Sequence, residues 1–169
     1  LQRELTELEQ HVRSLSIRYQ AQKASVSQLA EHRLVDAQVL YTLKDYTRAA
    51  ILLLDYINKY KNTRGYPEAM FYLADALYHK RDFLSARKYF EKIVTTIKGK
   101  YYQEALQRLM ELSLRTGYTA NIEQYLKALE AIPPHLLKPS VPYVRAKYYY
   151  FQKRQDTAIP GFRRIPPGH

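Results

Sequence analysis

The 169-residue sequence predicts an all-α fold: helical hairpins repeated in series behind a long N-terminal helix. Three observations carry that prediction. Apolar residues recur at helical spacing through residues 67–98. The same order of small and large residues returns along the chain at a fixed interval. Composition disfavours strands, with sparse β-branched runs and only 5 glycines.

Residues 67–98 read as two amphipathic helices around a tight turn. The first carries Met70, Leu73, Ala74 and Leu77 on one face, the second Phe83, Ala86, Phe90, Ile93 and Val94. Lys80-Arg81-Asp82 is the polar break, with Asp82 placed to cap the second helix. One such hairpin cannot bury both apolar faces alone. The pattern recurs. Ala37, Ala49 and Leu53 fall under Ala74, Ala86 and Phe90, and Lys44-Asp45-Tyr46 falls near Arg81-Asp82-Phe83. A third copy puts Gly117-Tyr118 at the turn, then Tyr125 and Ala128. A fourth places Ala146, Ala158 and Phe162. The interval is about 35–37 residues, in the range of helical solenoids.

These residues resemble a tetratricopeptide (TPR) repeat. Ala74, Phe83, Ala86 and Phe90 match its small and aromatic positions; Ala37, Tyr46, Ala49 and Leu53 match with leucine at the last place; Pro133 sits where such a repeat often ends. Leu109 and Asn121 depart from the pattern in the third copy, and Gln155 in the fourth. Small residues let helices approach closely, and aromatics fill the wedge that remains.

The elements follow in order. In residues 1–32, Leu1, Leu5, Leu8, Val12, Leu15, Tyr19, Gln22, Val26 and Leu29 alternate by three and four, a heptad seam with one polar interruption. Two readings stay open: a coiled coil, or a helix folded back to cap the first repeat. No Gly or Pro separates it from that repeat, so one helix is expected from about residue 4 to 43. Residues 33–65 form the first repeat. Its second helix is apolar nearly all round at Ile51–Leu54, which predicts cover from more than one side, the N-terminal helix among them. Gly65 and Pro67 mark the connector to the second repeat, 66–100. The third, 101–134, has a wide apolar face at Leu106, Leu109, Met110, Leu112 and Leu114, closes its first helix at Gly117, and ends at Ile132-Pro133-Pro134. Residues 135–142 are expected to be irregular. The fourth repeat, 135–169, starts with a helix over 143–153 with Tyr149 in the core, and Pro160-Gly161 fall early in its second helix. Ile165-Pro166-Pro167-Gly168-His169 reads as the end of that repeat. A start at Leu1 rather than methionine predicts a piece of a longer chain.

Composition limits the chemistry. There is no cysteine, which removes disulfides, thiol catalysis and cysteine-ligated metal. No apolar run approaches the roughly 18–20 residues of a membrane-spanning helix. No phosphate loop, nucleophile elbow or His-Glu-x-x-His pattern occurs. Asp75 and His79 share a helix face, but one acid and one imidazole are too few for a metal site. No enzyme, metal or cofactor is therefore predicted. Net charge is +11, with seven basic residues against Asp156 alone after residue 137, while residues 1–32 balance four basic against four acidic. That asymmetry predicts an acidic or anionic partner toward the C-terminal end.

The resemblance implies a concave face lined by the first helix of each repeat. Carried over residue by residue, its partner-binding positions are Gln38, Tyr41 and Thr42; Phe71, Asp75, Tyr78 and His79; Met110, Ser113 and Leu114; and Tyr143, Lys147, Tyr150 and Phe151. Rings with polar tips suit a peptide-binding groove, and equally suit packing against neighbouring helices. The family's lysine-and-asparagine carboxylate clamp is absent. The expected function is a non-catalytic scaffold that binds a protein or peptide segment, with residues 1–32 used for self-association or capping. The alternative is a basic module that binds nucleic acid or an anionic surface through its last repeat, where Lys147 to Arg154 interleaves bases and rings. A heptad helix followed by TPR repeats is similar in arrangement to bacterial cell-envelope proteins, which implies a periplasmic setting. The residues themselves do not specify a compartment.

Overall fold

A computed structural model describes residues 1–163. Its described residues form seven helices and no strand: α1 (Gln2–Thr42), α2 (Tyr46–Lys59), α3 (Tyr66–His79), α4 (Phe83–Lys92), α5 (Tyr102–Thr116), α6 (Ile122–Glu130) and α7 (Ser140–Arg163). The fold class is that of helical-hairpin repeats of the solenoid type with a long N-terminal helix. The chain divides into two compact units, Leu1–Lys80 and Arg81–His169, so the divide falls in the turn between α3 and α4.

In the first unit, α1 packs on α2 and α2 on α3. Alanines make the closest approaches: Ala37, Ala49, Ala69 and Ala74 are fully buried, and Leu53, Met70 and Leu73 fill the space between. Asp45 caps α2 by accepting a hydrogen bond from the Arg48 amide at 3.2 Å. That bond, with the Arg48 side chain second, holds its carboxyl below the usual range. Gly65 lies under Tyr56 and Leu34. A Cβ there would come within 2.6 Å of the Tyr56 hydroxyl and 2.8 Å of Leu34 Cδ2. The Tyr56 hydroxyl is itself fixed by Thr63 Oγ1 at 2.7 Å.

In the second unit, α5 is the central element, packed against α4, α6 and α7. Leu106, Leu109, Met110 and Leu112 of α5 are fully buried, as are Phe90 and Ile93. The chain leaves α4 through a π-helical turn, Ile93–Ile97, and the positive φ of Lys98 and Gly99, then re-enters a short 3₁₀ turn before α5. Gly117 ends α5 in the left-handed conformation, φ 75°.

The two hairpin turns repeat one local geometry. Lys44 and Arg81, 37 positions apart, both take left-handed φ, 62° and 64°. Each is followed by an aspartate whose carboxylate accepts the backbone N–H three residues on, Asp45 from Arg48 and Asp82 from Ser85. Longer bonds tie neighbouring hairpins within each unit. Tyr41 donates to Asp75, Tyr125 to Glu91 and Lys138 to Glu104, each across 34 positions.

Several expectations are corrected. α1 runs unbroken, as its lack of Gly and Pro predicts, but it does not fold back. Of its residues only Ala30, Leu34 and Ala37 are buried. Ile51 and Leu54 therefore stay exposed, at 63% and 41%. The irregular stretch before α7 is shorter than expected, because Pro134–Leu136 form a 3₁₀ turn and Pro142 sits in the first turn of α7. α7 continues to Arg163, so no hairpin turn forms at Gln155; no Gly or Pro lies between Tyr143 and Ala158 to stop it. Within α7 it is Tyr148, 6% exposed, that enters the core, and Tyr149 lies outside. The segment from Ile165 to His169 lies outside the described residues.

Two predictions follow from this packing. Gly65→Ala should destabilise the chain by about 1–3 kcal/mol, since Tyr56 and Leu34 must both move. Denaturant unfolding measures it, and an unchanged midpoint would show that the site has room. The second concerns Tyr125. Burial chiefly, with the Glu91 carboxylate beside it, pushes its phenol up to about 12 from 10.0. Its folded-state pKa lies above the unfolded one, so its contribution is complete below pH 10 and is lost as pH rises toward about 12. Tyr125→Phe should cost about 1 kcal/mol near neutrality and make the alkaline loss of stability shallower than in the parent chain.

Candidate functional site

The first unit brings together most of its expected binding residues. Along α3, Glu68, Tyr72, Asp75 and His79 follow one helical stripe, and α1 lays Gln38 and Tyr41 against it. Gln38 Nε2 donates to Glu68 Oε1 at 3.0 Å. The Tyr41 hydroxyl donates to Asp75 Oδ2, and His79 Nε2 lies 3.3 Å from that same oxygen. Asp75 is 2% exposed, and a carboxylate so placed needs such donors, because burying it unpaired costs several kcal/mol.

Aromatic rings surround this carboxylate. The Tyr46 ring stacks on His79 at 4.7 Å, and the Tyr41 ring meets Tyr72 edge-on at 4.9 Å. Phe71 meets Tyr72 at 6.0 Å. Tyr41, Tyr46, Phe71 and Tyr72 are half-buried and His79 is exposed, so the cluster offers ring edges and polar tips to solvent. Burial, then the Glu68 and Asp75 carboxylates, raise the Tyr72 phenol, which keeps it a neutral hydrogen-bond donor. Tyr78 is different: it is 9% exposed and belongs to the core.

The second unit separates its expected residues. Met110 and Ser113 are interior, and Ser113 Oγ donates to the Leu109 carbonyl on its own helix, so neither is a docking side chain. The reason is that α5 is wrapped by three elements and has little free face. Tyr143, Lys147 and Tyr150 share an exposed face of α7. Phe151, one turn beyond Lys147, lines a cavity of about 270 Å³ with Ile122, Glu123 and Tyr148. Tyr149 donates to Glu130 at 3.1 Å, and that bond is the first cause of its raised phenol.

Sequence reasoning missed Glu68 and Tyr72, although positions 68, 72, 75 and 79 follow helical periodicity and could have been read as one stripe. Tyr46 was read only as the aromatic after the turn. Among the described residues, no three His, Asp or Glu side chains lie together as metal ligands, and no helix is long and apolar enough to cross a membrane. What the first unit presents is a cluster of half-exposed rings around a buried carboxylate whose Oδ2 meets Tyr41 and His79.

Comparison with known proteins bears on the repeat type. No curated protein matches the chain. A family profile does match over residues 67–165, more than half of it, and that family is one of ARM repeats, helical repeats related to TPR-like solenoids. TPR itself is not what matched. An interval of 37 positions between the two capped turns lies between the roughly 34 of TPR and the roughly 40–47 of armadillo-type repeats. By that match, and by helical pairs joined through capped turns, the chain belongs to the family of the TT21 fifth ARM repeats domain.

Proposed function

We propose that this protein is a non-catalytic scaffold that docks a peptide segment of another protein on the α1–α3 face of its first unit. The observation that carries the reading is the cluster around Asp75. Tyr41 and His79 hold one oxygen of its carboxylate, Oδ2, from within, while half-exposed rings present area and hydrogen-bonding tips outward. Aromatic residues with polar ends are the side chains on which binding energy concentrates at protein interfaces. A helical-repeat family supports the same reading, since such repeats serve broadly as interaction scaffolds. The finer identity of the repeats as TPR rests on Ala74, Phe83, Ala86 and Phe90. The envelope or periplasmic setting rests on arrangement alone.

A second reading rests on α7, where Tyr143, Lys147 and Tyr150 share an exposed face in the strongly basic last stretch. Such a face suits nucleic acid or an anionic surface.

Two measurements separate the readings. Partners captured on the immobilised chain should be lost with Phe71→Ala plus His79→Ala, at least tenfold, and retained with Tyr143→Ala plus Tyr150→Ala; about 1.4 kcal/mol suffices for that factor. The reverse pattern would move the docking surface to α7. Binding to single-stranded nucleic acid or acidic vesicles should be weak and should not steepen with falling salt. Steep salt dependence abolished by Lys147→Glu would support the α7 reading instead.

A further inference from the structure

The N-terminal part of α1 is an apolar seam with nothing against it. Leu5, Leu8, Val12 and Leu15 are 54%, 60%, 57% and 48% exposed, and the seam continues through Tyr19 and Val26 to Leu29. The charges along this arm are polarised. Glu4, Glu7 and Glu9 come first, with Arg3 among them; Arg13, Arg18 and Lys23 follow with no acid between. Beyond the basic end, a cleft of about 530 Å³ opens beside Lys23 and Val26, and its far wall carries Lys59 at the end of α2 and Lys61 and Arg64 on the α2–α3 connector. Lys59 is engaged in an exposed pair with Asp55 at 3.0 Å.

We infer that two copies of this chain associate through these arms as an antiparallel coiled coil, acidic start of each against basic end of the other. The heptad flanks decide the direction. In a parallel, in-register pair, the flanking contacts are Glu4 with the second copy's Glu9 and Arg18 with the second copy's Lys23. Both are like-charged, and the other two contacts, His11 with Ser16 and Ser25 with Ala30, offer no compensating acid–base pair. In the antiparallel register, Leu5 meets Leu29, Leu8 meets Val26, Val12 meets Gln22 and Leu15 meets Tyr19, each twice by symmetry. Glu9 then flanks the second copy's Lys23, also twice, on the edge where the cleft opens. The rim of Lys61 and Arg64 adds to the field that Glu9 meets. The costs are Gln22 facing Val12 and the two Arg18 side chains approaching at the centre. Both lie at exposed helix positions from which long polar side chains reach water.

Sedimentation equilibrium of the full chain tests this. A monomer–dimer equilibrium is expected, weaker at high salt. Leu8→Asp should leave the first unit folded, because Leu8 touches no core, and should abolish the dimer, with an unfolding midpoint that no longer rises with concentration. A dimer that survives it uses another surface and overturns the proposal. Direction is read from charge reversal. Glu9→Lys and Lys23→Glu should each weaken the dimer about fivefold or more, and the double variant should restore it. In a parallel dimer each single reversal turns a like-charged contact into an opposite one, so tighter association with either would overturn the antiparallel assignment. A monomer at all concentrations would overturn the proposal outright, and would leave the docking face of α1 and α3 untouched, since none of these residues belongs to it.

Discussion

The constraint on which this structure depends is close approach between helices that each carry more apolar surface than a hairpin can hide. Ala37, Ala49, Ala69 and Ala74 meet it in the first unit, and Ala86 and Ala105 in the second; all are fully buried. A methyl group lets two backbones come near enough for Leu53, Phe90 or Leu106 to fill the remaining space. Gly65 marks the limit, where even a methyl would run into Tyr56 and Leu34. Size, more than hydrophobicity, is selected at these positions. That is why the recurring alanines trace the repeat more clearly than the recurring leucines.

Close approach also brings polar groups into places that water reaches poorly. The three bonds across 34 positions answer this the same way each time. A carboxylate on one hairpin, Asp75, Glu91 or Glu104, receives a donor from a neighbouring one. These bonds do not drive association, since exchanging water for a protein donor gains little on balance. They lower the penalty that a bare carboxylate would impose, and they work in one register only. Alanine contacts permit hairpins to slide; paired carboxylates do not. In the first unit the same device has a further result. Holding Asp75 Oδ2 from inside leaves His79, Tyr46 and Tyr72 with part of their rings turned outward, so the interaction that fixes register also shapes the candidate docking face.

Much of this was legible in the residues. Helix ends at Asp45, Asp82, Gly65 and Gly117 were readable because capping and chain reversal depend on local chemistry. The buried alanines were readable because their interval repeats. What failed, failed for non-local reasons. Tyr148 and Tyr149 differ only in which side of α7 meets α5, and a run of three tyrosines carries no phase. Met110 and Ser113 fall at groove positions by analogy, but α5 is enclosed by α4, α6 and α7, a fact set by packing. Ile51 and Leu54 were expected to be covered because their helix is apolar nearly all round, but which of its sides α1 and α3 leave open is set by packing. Glu68 and Tyr72 were periodic enough to find; their significance came only with Gln38 and Tyr41 beside them.

The exposed part of α1 brings the two scales together. Its C-terminal third is held by Ala30, Leu34 and Ala37, and a helix once nucleated propagates cheaply through residues without Gly or Pro. The buried third therefore supplies the nucleus, and residues 2–29 extend it outward without needing contacts of their own. Propagation explains why the arm is helical. It does not explain why leucine and valine recur on one side at heptad spacing, since serine or glutamine there would extend the helix nearly as well. An apolar stripe kept in water is a cost to solubility. It becomes intelligible when the stripe is shared between two helices, and the sorted charges of the arm then determine which way the second one runs.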